Sequence, residues 1–278
     1  MSEPVVLAEL DVQARWCDLD GATAAAGVIR GADAAAMLGV GRRVAIGPIL
    51  PCGTCDVCRR GACAVCPHAV ALAVPARGPA SVPARWLVAL DGDLDVPVDL
   101  GVRALGPGAR AYAMYAEAGL SPREPAIIVG GDVTAAALAQ ILRAKSAAVV
   151  VVASAGSAAE RAALAAGLVV VLADVDTAAA DLPALAARVA AAAAGGDQGY
   201  RPVRLFETST DPGWRRLALA LAGPRTTLVM RTSRAEHELV VPAAALAAEL
   251  RLVAVREAHP DLAHEVLALV ARGELDLA

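Results

Sequence analysis

The chain has 278 residues, of which 57% are apolar and 19% charged, with a net charge of −4. This is the composition of a folded protein of one large or two smaller domains, and it excludes a disordered chain. No basic stripe interleaved with aromatics occurs, so nucleic acid has no electrostatic footprint here, and no apolar run is long enough to span a bilayer.

The first residues, Met1 to Leu10, carry Glu3 and Glu9 and lack the basic-then-apolar pattern of a secretory signal, so a cytoplasmic protein is expected. Val5–Trp16, Arg43–Ile49 and Val70–Val74 read as strands of a small β-rich domain rich in Gly and Pro. Five of the six cysteines crowd into Cys52–Cys66, and the sixth is Cys17. In a reducing compartment, clustered thiols hold metal more often than they form disulfides.

That segment reads C-x2-C-x2-C-x7-C through Cys52, Cys55, Cys58 and Cys66. The short spacers turn neighbouring thiols toward a common point, and the seven-residue spacer brings the chain round to close a fourth corner. Gly53 and Gly61 permit the tight turns this requires. Four thiolates suit a tetrahedral Zn2+ and leave no open position, so such an ion is structural. Cys63 complicates the ligand set, because Cys63-x2-Cys66 is also a pair; the set without it is preferred here for its four ligands.

Near residue 122 the rhythm changes to alternating strands and helices. Strands are expected at Ala126–Val129, Val149–Val152, Leu168–Leu172, Val203–Phe206, Thr227–Met230 and Leu252–Val255. Helices are expected at Val133–Ala144, Ala158–Ala166, Asp181–Ala194, Trp214–Leu221 and Leu262–Ala271. Short apolar strands with helical crossovers imply a doubly wound α/β fold, a parallel sheet covered on both faces. The expected division is 1–122 and 123–278.

Residues 47–61, Gly-Pro-Ile-Leu-Pro-Cys-Gly-Thr-Cys-Asp-Val-Cys-Arg-Arg-Gly, resemble the structural-zinc lobe of medium-chain zinc-type alcohol dehydrogenases, and Gly41-Arg-Arg-Val44 resembles the stretch that precedes it there. Val74-Pro-Ala-Arg-Gly78 and Arg201–Leu277 are most similar to the 6-hydroxycyclohex-1-ene-1-carbonyl-CoA dehydrogenase branch. The resemblance implies a GroES-like first domain with a zinc lobe at 47–68, a Rossmann second domain, NAD(H), and an alcohol or hydroxyacyl-CoA substrate.

It also implies sites that this sequence alters. The family's catalytic zinc takes a Cys-x-x-Asp cysteine, a Gly-His-Glu histidine and a third thiolate or carboxylate. Cys17-Asp-Leu-Asp20 matches the first, but no histidine precedes His68, and the third position falls near Gly106. Cys17 is thus expected to be a vestigial ligand. The Gly-x-Gly-x-x-Gly turn appears as Gly130-Gly-Asp-Val-Thr-Ala135, with Asp132 at the position that lets a pyrophosphate approach. Asp132 also reads as a helix cap. The acid expected after the second strand to hold a ribose is replaced by Ala153-Ser-Ala-Gly-Ser157, so Gly130, Gly131 and Ser154 are the remaining candidates for an NAD(P) site whose function is in doubt.

The expected protein is a truncated, degenerate relative of these dehydrogenases. It is a zinc-stabilised scaffold in a homo- or hetero-oligomer, with a full-length dehydrogenase as one candidate partner. The alternative is an active NAD(P)-dependent oxidoreductase of altered chemistry.

Overall fold

The computed structural model describes residues 6–17, 23–32, 38–121, 124–145, 148–174, 182–194, 204–232, 241, 243, 249–255 and 262–277. They fall into two compact units, Met1–Arg110 with Glu257–Ala278, and Ala111–Arg256. The sequence expectation drew the division at residue 122 and kept the last helix with the second unit.

The first unit is built on a five-stranded antiparallel sheet in the order β6-β1-β2-β3-β7, comprising β1 Leu7–Cys17, β2 Thr23–Ala32, β3 Arg43–Ile46, β6 Gly78–Pro83 and β7 Leu87–Ala89. Alternation along β1 buries Ala8, Leu10 and Val12, which pack with Ile29, Val44, Ile46 and Val82. The β1–β2 pairing slips at two points, and a Cβ on Gly27 would lie 2.0 Å from the Asp11 carbonyl oxygen. Only glycine allows the two backbones to approach so closely. A separate hairpin, β4 Ile49–Leu50 with β5 Val70–Ala71, forms the base of the cysteine segment.

Helix α2, Val98–Arg103, runs through a widened π-helical turn at Ala104–Gly108, containing Pro107, into α3, Ala109–Ala118. The last helix of the chain, α8 (Leu262–Ala271), packs against that turn. A Cβ on Gly108 would meet Val266 at 3.0 Å, and Arg103 donates to the Leu277 carbonyl at 2.5 Å. These contacts are why the final segment belongs to the first unit.

The second unit is the expected doubly wound sheet. Its six parallel strands are β8 Pro125–Val129, β9 Ala148–Ala153, β10 Val169–Leu172, β11 Arg204–Glu207, β12 Thr227–Arg231 and β13 Arg251–Val255, in the order β10-β9-β8-β11-β12-β13. The order reverses between β8 and β11, and crevices at such reversals are where these sheets bind ligands. The helices are α4 Val133–Ala144, α5 Ala158–Ala165, α6 Leu182–Ala194 and α7 Pro212–Leu221. Buried Ala135, Ala139, Ala159 and Ala163 let α4 and α5 lie close together. Ile127, Val150, Leu205, Leu228, Trp214 and Val189 fill the other face. Among the described residues, no helix is long and apolar enough to cross a membrane.

Candidate metal centre and nucleotide seat

Cys55 starts the metal lobe as the N-cap of a single helical turn, α1 (Asp56–Arg59); its sulfur accepts from the Cys58 N–H at 3.5 Å. The Cys55 N–H is donated to Cys52 Sγ at 3.4 Å, and the Cys52 N–H to Cys66 Sγ at 3.5 Å. Backbone amides therefore face sulfur, an arrangement that favours thiolate. Gly53 and Gly61 adopt φ of +73° and +80°, the left-handed turns that the spacing calls for. The lobe is pinned from downstream, with Arg85 donating to the Cys52 carbonyl at 2.7 Å and the Trp86 indole to the Pro51 carbonyl at 3.1 Å.

The ligand atoms of Cys52, Cys55, Cys58 and Cys66 all lie within 4.8 Å of one another. Three of the separations are 4.0 Å (Cys52–Cys58), 3.8 Å (Cys55–Cys66) and 3.6 Å (Cys52–Cys66). A tetrahedron with Zn–S near 2.3 Å has an edge of about 3.8 Å, so the donor set and its spacing fit Zn2+. The N–H groups of Thr54 and Cys55 pull the Cys52 thiol down to about 6, whereas burial pushes Cys58 up. Cys63 is buried but stands outside the quartet, its Sγ directed to the Cys58 carbonyl at 3.8 Å. His68 is exposed. Among the described residues, no second group of three or more His, Cys, Asp or Glu side chains converges in this way.

The residues expected at a catalytic metal lie elsewhere in the first unit. Cys17 is exposed at the end of β1, paired across the hairpin with Thr23, whose hydroxyl lies 3.5 Å from its sulfur. Asp20 falls outside the described residues. Gly106 sits on the π-helical turn against Trp16, and a Cβ there would be 2.6 Å from the indole ring. Buried Arg110 also lies over the indole, its guanidinium carbon 5.6 Å from the ring centroid. An aromatic ring therefore fills the space a side chain at 106 would need.

In the second unit, Gly130, Gly131 and Asp132 follow β8 at the strand-order reversal. Asp132 caps α4, its Oδ1 accepting from the Ala135 N–H at 2.8 Å. The same oxygen accepts from the Thr208 hydroxyl at 2.9 Å, and Oδ2 lies 3.5 Å from Arg231, a side chain only 3% exposed. Because Thr208 follows β11, the Asp132–Thr208 bond joins the two strands across the crevice. Gly130, with φ of +142°, has Thr208 against it, where a Cβ would be 2.3 Å from the hydroxyl oxygen.

Glu207, the last residue of β11, is fully buried and paired through Oε2 with Arg215 at 3.2 Å; Arg215 also donates to the Arg231 carbonyl at 2.9 Å. Its Oε1 is buried with no hydrogen-bond partner. Burial raises the Glu207 carboxyl to about 8, against the pull of Arg215 and with the push of Asp132. After β9, Ser157 caps α5 by accepting from Glu160 N–H at 3.2 Å, and the Ser154 carbonyl accepts from Ser157 N–H at 3.2 Å. This loop packs against Gly131, where a Cβ would be 3.0 Å from Ser157. The sequence singles out Asp132, but not its partners Thr208 and Arg231, nor the buried Glu207 nearby. The acid at 132 and the neutral Ala153–Ser157 loop are the signals that the sequence offers here.

Several solved structures with this architecture are dehydrogenases. A galactitol-1-phosphate dehydrogenase from Escherichia coli superposes with a TM-score of 0.80 at 18% identity, over 99% of this chain and 84% of its own. The fold is that of the zinc-type medium-chain alcohol dehydrogenases. The alcohol dehydrogenase TADH from Thermus sp. ATN1 gives 0.79 at 18% identity, over 99% of this chain and 84% of its own. A cobalt- and zinc-bound thermostable alcohol dehydrogenase from Pyrobaculum aerophilum gives 0.76 at 16%, over 97% and 82%. No family model matches the sequence. No curated protein matches it either.

Proposed function

We propose that this protein is a zinc-stabilised subunit on the alcohol dehydrogenase scaffold, cytoplasmic and oligomeric, that does not itself oxidise alcohols. The observation that carries this reading is the Asp132 carboxylate, fixed by Ala135 and Thr208 where a pyrophosphate would approach the helix N-terminus. A dinucleotide entering there would meet a negative charge, and a hydrogen bond already closing the crevice. Trp16 against Gly106, with Cys17 apart from any converging donors among the described residues, supports the same conclusion for a catalytic metal. Cys52, Cys55, Cys58 and Cys66 would hold one Zn2+, which supplies cross-linking of the lobe; the residues themselves supply the amide-supported thiolates. A full-length dehydrogenase of the same fold is the proposed partner.

Metal analysis of the purified protein, combined with fluorescence titration by NADH and NADPH, tests this. About one zinc per chain with no saturable dinucleotide binding supports the reading. Nicotinamide-dependent oxidation of an alcohol or alicyclic hydroxyacyl-CoA would overturn it and restore the active oxidoreductase as the better description.

A further inference from the structure

The metal quartet uses four of the five cysteines in its lobe, and the fifth is placed against it. Cys63 opens a short 3-10 turn, Cys63–Val65, directly after the left-handed Gly61 that ends the α1 segment. That turn folds the chain back so that Cys58, Cys63 and Cys66 form one buried sulfur cluster, with Cys52 and Cys55 packed on it. Cys58 and Cys63 are each 7% exposed, and the Cys63 sulfur lies 3.8 Å from the Cys58 carbonyl oxygen. A thiol with no place in the tetrahedron thus borders one of its ligands.

We propose that the lobe is a redox-responsive metal site in which Cys63 is the resolving thiol for Cys58, releasing the metal when a peroxide oxidises the cluster. This rests on the assignment of the quartet as a zinc site. Zinc has no redox chemistry of its own, so the electrons come from sulfur. The Cys58 thiolate attacks a peroxide oxygen; the O–O bond breaks, one oxygen stays on sulfur as the sulfenic acid, and the other leaves and is protonated to water. The Cys63 thiol then attacks the sulfenic sulfur. A Cys58–Cys63 disulfide forms, and the hydroxyl leaves with the thiol proton as a second water. Two thiols and one hydrogen peroxide have become one disulfide and two waters. Three thiolates remain, the closed shell is open, and the ion is lost. A dithiol reductant reverses the step by restoring both thiols.

The sequence makes the product easy to read. Cleavage after Arg59 and Arg60 separates Val44–Arg59, which carries Cys52, Cys55 and Cys58, from Gly61–Arg77, which carries Cys63 and Cys66, and fragmentation of the linked pair assigns the two sulfurs. The experiment compares the zinc-loaded full chain with its Cys63→Ser and Cys63→Ala variants. Zinc content is measured first, then metal release into a chromogenic chelator during hydrogen peroxide addition, followed by peptide mapping without reduction. All three proteins are expected to hold one zinc when reduced. Wild type is expected to release it with a Cys58–Cys63 cross-link, and to rebind it after dithiothreitol. The variants are expected to lose the cross-link and the reversible release. No zinc in any reduced protein would sink the metal assignment itself. Full zinc in all three, with the same release and recovery in the variants as in wild type, would sink the role of Cys63 alone. So would a wild-type disulfide that does not include Cys63.

Discussion

Replacing Asp132 separates its two duties as a helix cap and as a bridge across the sheet. Asp132→Ala removes the acceptor for the Ala135 N–H, a loss of about 1 kcal/mol for a helix cap. It also removes the acceptor for the buried Thr208 hydroxyl, a further ~1 kcal/mol or more. The carboxylate beside Arg231 goes as well, so the alanine variant should lose roughly 2–4 kcal/mol. Asparagine keeps an oxygen for both hydrogen bonds and gives up only the charge. With Asp132 27% exposed and 3.5 Å from Arg231, its cost should be about 1 kcal/mol. Urea denaturation followed through Trp214, buried in this unit, measures both. An alanine variant within ~0.5 kcal/mol of wild type, or an asparagine variant as damaged as alanine, would refute the bridging role.

Gly130→Ala should destabilise the second unit by roughly 2–4 kcal/mol, because a Cβ would strike Thr208 and the residue holds φ of +142°; a thermal melt close to wild type would count against it. Gly106→Ala should cost about 1–3 kcal/mol in the first unit, by forcing Trp16 off the π-helical turn, and should shift Trp16 fluorescence. The folded protein keeps a proton on Glu207 up to about pH 8, whereas the unfolded chain releases it near pH 4.5, so this group's contribution to stability falls as pH rises across that window. Glu207→Gln should flatten stability profiles measured between pH 5 and 9; an unchanged slope would remove Glu207 as its source. Acidification should displace zinc from the lobe, since protons compete for thiolate, and Cys58→Ser should abolish stoichiometric zinc at neutral pH as measured by atomic absorption.

The doubly wound sheet was readable because its strands are short and uniformly apolar, as in Ala-Ile-Ile-Val at 126–129, and its crossover helices have caps or turn signals at their ends. The last helix, expected over Leu262–Ala271, spans those residues. Strands β2, β6 and β7 were not anticipated. Thr23-Ala-Ala-Ala-Gly27 has little strand propensity and pairs because β1 offers it an edge, and β6 carries prolines at both Pro79 and Pro83. The metal quartet could be read from spacing because its ligands are local in sequence. The nucleotide seat was half legible: the acid at 132 stands out against a glycine motif. Its partners lie 76 and 99 residues away, and no local pattern links Asp132 to Thr208 or Arg231.

The grip of Arg85 and Trp86 on the carbonyls of Cys52 and Pro51 has a consequence for how the lobe comes into being. Cys52, the first ligand, and Pro51 before it are anchored by Arg85 and Trp86, 33 and 35 positions further along the chain respectively and beyond the last ligand. During synthesis the four thiols emerge before the two side chains that hold their base. Until the turn before β7 folds onto it, the nascent lobe would hold an ion with its thiols alone, and the grip of Arg85 and Trp86 would come as a second stage. A peptide covering 47–68 reproduces the first stage and lacks the second, so it exchanges its ion faster than the intact chain. Retention of the metal is in this sense a property of the whole first unit.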